Sequence, residues 1–383
     1  MSEKIIDKIQ YSKDNRLEVL QKIKQSQKPL FVYGAGKAAQ LRIKWLKEYN
    51  VSIEGCCVDS CYYKRGMVLE QINVYCIDDL KQLYGEFDLF VGFEDHSKAK
   101  EVIDIWKQKE IDVYYIEDPF KFRYMDYNFF LKNSDKFQMA YDLLEDDLSR
   151  KIFIAHINSK ISGCSNEIAG YQSDFLYNYE FDLLDLNEKE IFVDCGAFDG
   201  DTISEFVEYV ENSYEKIIAF EPDKNNAEKL KRKIESDKVR VIESGTGAKK
   251  GTASFYADAS LYSNFVDTCI WGEKTRRDLY EDANEYIEVP ITSIDIELRG
   301  IPVSFIKMDI EGSELSALIG AQEIIKENHP KLAICVYHKQ EDLFAIPNYI
   351  YSLETEAWHY KYYLRHHSDN LTETVLYAIP YRT

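Results

Sequence analysis

Short apolar runs, each followed by a stretch of helical spacing, recur along this chain in two separate series. The first series is preceded by an amphipathic stretch that predicts a helix over 3–26 and opens with the strand PLFVY at 29–33. GAGKAAQLRIKWLKEY then reads as a tight turn into a helix, and VSIEGCCVD supplies a second strand ending at Asp59. INVYCIDDLKQLY, FDLFVGFE, HSKAKEVIDIWKQK and IDVYYI carry the alternation to about residue 116. Strand–helix alternation with short connections predicts a parallel sheet covered by helices.

From about 117 to 188 the pattern is helical without strand alternation, and it reads as a helical connector packed onto one or both of its neighbours. The second series starts at 190. Its strands are IFVDC, KIIAFE, VRVIES, VSFIKMD and KLAICVYH, with helices between them and a β insertion, TASFYA and IEVPITSID, before VSFIKMD. HYKYYLRHHS and ETVLYAIP close the chain as two antiparallel strands. The fold class is therefore α/β: a Rossmann-like, mostly parallel sheet of class I methyltransferase order with a terminal antiparallel hairpin, preceded by a second Rossmann-like α/β domain. The domains are 1–116, the helical connector 117–188, and 189–383.

The loop after IFVDC decides which cofactor suits the second domain. A dinucleotide site wants G-x-G-x-x-G so that backbone can approach a pyrophosphate at a helix N-terminus. Residues 194–200 read D-x-G-x-x-x-G, with Asp194 ahead of Gly196 and Gly200. A carboxylate there repels a pyrophosphate and suits the cationic amino end of S-adenosylmethionine. The next strand ends in AFEP, where Glu221 is placed to accept bonds from both ribose hydroxyls. Downstream, IKMDIEGSELSALIGAQ runs a strand into Asp309, followed by Glu311, Gly312 and Glu314 at a helix start. An acid in a helix's first turn is often only a favourable cap, and Glu314 is divided between that reading and a functional one. Asp309 ends a central strand beside the expected crevice, where ligands of open α/β sheets bind.

VDCGAFDGDT, AFEP, VPITSID, IKMDIEGSELSALIGA and LRHHSDNLTETVLYAIP resemble the FkbM family of S-adenosylmethionine-dependent methyltransferases over about 190–380. The resemblance implies O-methylation, commonly of sugar hydroxyls in bacterial glycans or natural products. It carries cofactor contacts to Asp194, Gly196, Asp199, Gly200 and Glu221, with Ala197 in the same turn, and supports a working role for Asp309. Glu243 and Ser244 follow as candidates for contacts near the adenine.

A sugar hydroxyl needs its proton accepted as it attacks the methyl group. Asp309 and His338, at neighbouring strand ends, are the two candidate bases. The alternative is a metal-assisted reaction, in which Asp309, Glu311 and His338 ligate Mg²⁺ or Mn²⁺, the cations suited to oxygen-rich donors. His366 or His367 is expected to line the acceptor site, and ASLYSN at 259–264 to serve as a lid or acceptor loop. The first loop, YGAGKAAQ, is G-x-G-x-x-A with Gly34 and Gly36, and Asp59 lies near the distance of a dinucleotide fingerprint. It also resembles the N-terminal domains of bacterial sugar O-acyltransferases over about 29–116. A nucleotide or nucleotide-sugar site, an NAD(P) site and a purely structural turn all stay open for it. An NAD(P)-dependent oxidoreductase and a non-catalytic scaffold in glycan assembly are accordingly the rival functions.

Composition narrows the partners. The formal charge of −20 over 383 residues opposes binding to nucleic acid or an anionic membrane. The 29 tyrosines suit half-buried core positions and also sugar-facing surfaces. Eight cysteines without a CxxC pair fit small core residues in a reducing compartment. MSEKIIDKIQ lacks the apolar stretch of a signal peptide, and no run approaches 18 apolar residues. The expectation is a cytoplasmic enzyme without a membrane span, acting on a sugar, nucleotide sugar or glycan. The connector's many aromatics suggest a homo-oligomer.

Overall fold

The computed structural model describes residues 4–93, 96–117, 124–173, 177–256, 264–265, 270–271, 274–275 and 286–383. The chain divides into two compact units. One comprises Tyr11–Asp126 with Ser159–Ser165; the other comprises Met1–Gln10, Tyr127–Asn158 and Asn166–Thr383.

In the smaller unit, strands Ile72–Cys76, Gly55–Val58, Leu30–Tyr33, Asp88–Val91 and Val113–Tyr114 lie side by side in that order and all run parallel; Val68–Leu69 adds an antiparallel edge. Leu30–Tyr33 and Asp88–Val91 are buried along their whole length. That burial is why they read as unbroken apolar runs. The order reverses between these two strands. At their carboxyl ends Gly34 takes φ +132°, and a Cβ on Gly92 would stand 2.9 Å from the carbonyl oxygen of Tyr33. Two glycines thus let adjacent strand ends touch.

The helix expected over 3–26 is interrupted. A short 3₁₀ turn spans Ile5–Lys8, and the α-helix runs only from Asn15 to Gln25. Asp14 causes the restart: its carboxylate accepts the backbone N–H of Arg16 and pairs with the Arg16 guanidinium, a helix-capping role that Asp fills well. The segment expected to be a connector forms no unit of its own. Its helices Tyr127–Lys132 and Ser134–Asp142, together with most of Asp147–Ser162, count with the larger unit. There Phe137 packs edge-on against Phe344, with ring centroids 4.7 Å apart.

The larger unit is built on a seven-stranded sheet of β1 (Ile191–Cys195), β2 (Lys216–Phe220), β3 (Val239–Ile242), β4 (Phe305–Met308), β5 (Lys331–Cys335), β6 (Trp358–His366) and β7 (Thr374–Arg382). Its spatial order is β6-β7-β5-β4-β1-β2-β3. β1 to β5 are parallel, while β7 runs antiparallel to both β5 and β6. This is the mostly parallel sheet with a closing hairpin that the apolar runs predict. The register of β1 on β4 pairs Phe192 with Phe305 and Asp194 with Lys307. The two phenylalanines stack at 4.6 Å, and Phe206 of the helix Asp201–Tyr209 covers Phe192 at 4.7 Å. The β insertion forms a second sheet in which Gly251–Tyr256 pairs antiparallel with Tyr286–Thr292. Of the expected acceptor loop, 259–263 lie outside the described residues; Asn264 begins a two-residue strand. Among the described residues no helix is long and apolar enough to cross a membrane.

Candidate active site

The carboxyl ends of β1, β2, β4 and β5 gather most of the side chains singled out in the sequence. Asp194, at the end of β1, is fully buried with its carboxylate 3.0 Å from Lys307 Nζ. The same ammonium donates to the carbonyl oxygen of Gly196 at 3.0 Å. Burial pushes the Asp194 carboxyl up to about 6, against the opposing pull of Lys307. Lys307, despite its own burial, is held above the usual lysine range by Asp194 and Asp309. Asp194 is therefore no free charge awaiting a cation; its charge is matched inside the protein by a lysine that the sequence reading missed.

The turn after β1 is shaped by close contact. Gly196 has φ +79°, and a Cβ there would lie 2.0 Å from the carbonyl oxygen of Asp309. Only glycine fits between the ends of β1 and β4. Its N–H and that of Ala197 both donate to the carbonyl of Phe220, which ties the turn to β2. Gly200, at φ +83°, opens the helix Asp201–Tyr209. Between them Phe198 holds φ +46° and donates its N–H to Glu221 Oε2 at 2.9 Å. Glu221 Oε1 accepts from the N–H of Asp223 at 2.9 Å. Burial pushes the Glu221 carboxyl up to about 7, although these two backbone donors favour its ionised form.

The outer residues of this group are engaged elsewhere. Asp199 pairs with Lys233 at the surface, at 3.2 Å, and Glu243 pairs with Lys231. Ser244 donates its hydroxyl to the carbonyl of Pro290 at 2.9 Å. In the smaller unit, Asp59 accepts a 2.6 Å bond from Tyr33 Oη, and a Cβ on Gly36 would meet nothing within 4 Å. Gly34 is the residue whose backbone demands glycine there.

Beyond β4 the chain turns sharply. Glu311 sits at φ +57° and Gly312 at φ +95°. The Glu314 carboxylate fastens the turn by accepting the N–H groups of Ile310 at 2.9 Å and Gly312 at 3.3 Å. His338, three residues past Cys335 at the end of β5, comes into the middle of these acids. Its Nδ1 lies 3.1 Å from Glu314 Oε1, and its Nε2 lies 3.5 Å from Asp309 Oδ1 and 3.7 Å from Glu311 Oε2. Burial lowers the affinity of the ring for a proton, but Glu314, Glu311 and Asp309 outweigh it and hold the imidazolium up to about 9. The three carboxylates favour the charged ring, so His338 serves as a base or a ligand only after giving up that proton.

Glu373, which sequence reasoning also missed, joins this group. The Tyr337 hydroxyl lies 3.3 Å from Asp309 Oδ1 and 3.3 Å from Glu373 Oε1, so one phenol links two carboxylates. Burial, then the neighbouring Asp309 charge, push Glu373 up to about 7, with His338 pulling the other way. His366 and His367 do not join this group through any hydrogen bond. His366 is completely buried with Nδ1 on Thr374 Oγ1 at 2.9 Å. His367 is held at both nitrogens, by Ser173 Oγ at 2.7 Å and Tyr377 Oη at 3.1 Å. Burial lowers both to about 4, leaving them neutral. The acceptor role expected of them lacks an available ring nitrogen at an open surface.

The chain is similar to known proteins in sequence and in fold. Residues 194–362 match the methyltransferase FkbM domain. The match begins at Asp194 and takes in every residue of the cluster except Glu373; it spans under half of the chain. The FkbM methyltransferase from Methylobacillus flagellatus KT superimposes with a TM-score of 0.72 at 22% identity, covering 95% of this chain and 93% of that one. At that identity the likeness establishes a shared fold across both units. A protein described as a candidate rRNA methylase from Clostridium thermocellum covers 52% of this chain and 92% of its own at 10% identity, with a TM-score of 0.32. No curated protein matches the chain. Residues 194–362 of the larger unit thus match a methyltransferase family model, and the chain shares its fold with a protein described as a methyltransferase.

Proposed function

We propose that the protein is an S-adenosylmethionine-dependent O-methyltransferase that methylates a sugar hydroxyl in a glycan or a nucleotide-linked sugar. The observation that carries this reading is the joint placement of the Gly196–Gly200 turn, Glu221 and Asp309 at the carboxyl ends of β1, β2 and β4. The residues fit the cofactor. Each Glu221 oxygen accepts one backbone N–H, which leaves each a lone pair for a ribose hydroxyl. Gly196 and Gly200 present bare backbone along the turn, and the Lys307–Asp194 pair fixes that turn from beneath.

When bound, S-adenosylmethionine supplies a methyl group on a sulfonium. The chain's part is to hold the acceptor oxygen in line and to receive its proton. Transfer of that methyl group to the acceptor oxygen would leave the sulfur neutral and the hydroxyl proton to be taken up by the chain. The hydroxyl proton passes to the carboxylate pair Asp309–Glu373, whose Glu373 member is tuned near neutrality. The sugar acceptor follows from the family resemblance of the sequence.

Charge-neutral replacements separate the two tasks. Glu221→Gln weakens binding of S-adenosylhomocysteine in a calorimetric titration. Asp309→Asn leaves that binding intact and lowers turnover by about a hundredfold or more, read as S-adenosylhomocysteine released with a panel of nucleotide sugars and oligosaccharides. Loss of cofactor binding in Asp309→Asn as severe as in Glu221→Gln contradicts the assignment.

A further inference from the structure

We infer that Asp309, Glu311 and His338 form a binding site for one divalent cation of the Mg²⁺ or Mn²⁺ class, with Glu314 as the carboxylate that orients the imidazole. The site lies at the rim where the proposed methyl transfer occurs. Its catalytic meaning rests on that reading; cation binding itself does not.

Distances make the first case. From His338 Nε2 to Asp309 Oδ1 is 3.5 Å and to Glu311 Oε2 is 3.7 Å. Both are too long for a hydrogen bond of ordinary strength. They are close to the separation of neighbouring ligands around one ion, roughly 3–3.6 Å for bonds of about 2.1–2.2 Å. The imidazole makes the second, independent case. His338 is only 7% exposed, yet its Nε2 finds no partner at ordinary hydrogen-bond distance. A buried polar atom left without a partner is costly; a cation binding at Nε2 displaces the proton held there and gives that nitrogen a partner.

The other edge of the ring supports the same geometry. Nδ1 faces Glu314 Oε1 at 3.1 Å, and Glu314 is itself fully buried and fastened by the N–H groups of Ile310 and Gly312. A carboxylate behind a ligating imidazole is the usual outer support of a metal-bound histidine. One ligand atom each from Asp309, Glu314 and His338 lies within 4.8 Å of the others. Glu314 stands on the Nδ1 side, however, whereas Asp309 and Glu311 stand on the Nε2 side. The turn that brings Glu311 there holds it at φ +57°, a conformation costly for a side-chain-bearing residue and typically retained where function needs it.

Two carboxylates and one imidazole, with the remaining positions left to water or acceptor, favour Mg²⁺ or Mn²⁺ over a closed, sulfur-rich zinc site. A cation there bears on the acceptor oxygen and lowers the pKa of its hydroxyl. Asp309 is then a ligand, and the proton goes to Glu373.

Mn²⁺ titration of the metal-free full-length protein, followed by electron paramagnetic resonance of the free ion, tests this directly. One Mn²⁺ per chain is expected, displaced by excess Mg²⁺, with nitrogen modulation in pulsed spectra from the imidazole. Glu311→Gln, at a partly exposed position, weakens binding at least about tenfold, as does Glu314→Gln through the imidazole. His338→Gln abolishes the nitrogen modulation. Absence of stoichiometric Mn²⁺ binding at millimolar concentration, binding indifferent to Glu311→Gln, or binding of Zn²⁺ with none of Mn²⁺ overturns the proposal. S-adenosylhomocysteine titration of the same preparation keeps the two readings apart. Cofactor binding without Mn²⁺ binding removes only the cation site, and the reverse removes only the cofactor.

Discussion

On the proposed reading, Glu221 is the residue whose ionisation links folding and cofactor binding. Its folded-state carboxyl rises from 4.5 to about 7 through burial. Between those values the folded chain holds more protons than the unfolded one. The stability contributed by the protonated form is therefore full below about pH 4.5 and lost as pH climbs through about 7. Cofactor binding has the opposite slope, because the ionised carboxylate is the better acceptor for ribose hydroxyls. Calorimetry at pH 6, 7 and 8 is expected to show affinity for S-adenosylhomocysteine rising across the range in the native protein and nearly flat in Glu221→Gln. An unchanged slope in the variant contradicts the role. Asp194, Gly196, Glu221 and Asp309 were legible in the sequence because each sits at the end of an apolar run, where a strand must stop. Lys307 was not, since it reads as one polar position within a strand. Its partner Asp194 lies more than a hundred residues away and is brought opposite by register alone. Glu373 escaped for a similar reason: it precedes β7, and only the antiparallel pairing of β7 with β5 brings it to Tyr337.

At the scale of elements, the sheet is held by what strand register places face to face. Phe192 and Phe305 are register partners, both fully buried, stacked at 4.6 Å beneath Phe206. Phe305→Ala opens a cavity between the starts of β1 and β4, and roughly 3–5 kcal/mol of unfolding free energy is expected to disappear. Urea denaturation measures it; a loss below about 1 kcal/mol means that the pair does not anchor the sheet. Parallel strands buried on both faces announce themselves as apolar runs, so most of the strands were readable to within a residue or two. The first helix was not, because helical spacing over 3–26 says nothing of the cap at Asp14 that restarts it. His366 shows the limit of reading a site from its neighbours in sequence. It ends β6 opposite Thr374 at the hairpin, and that pairing turns the ring inward to the Thr374 hydroxyl rather than outward to an acceptor.

At the scale of the whole molecule, two α/β units share one chain, and residues 194–362 of the larger match the methyltransferase FkbM domain. The two-series alternation made both sheets legible. It gave no sign that most of the segment between them would pack with the larger unit, because helical spacing shows which face is buried but not against what. Cofactor and cation are proposed to use different residues: Gly196, Gly200 and Glu221 for the one, with Asp194 and Lys307 fixing the turn, and Asp309, Glu311 and His338 for the other. Calorimetric titration of the full-length protein with S-adenosylhomocysteine, with and without EDTA, is the most direct test of the methyltransferase reading. Micromolar binding at one site per chain, unchanged by EDTA, is the expected result. No binding under either condition contradicts the reading at its root.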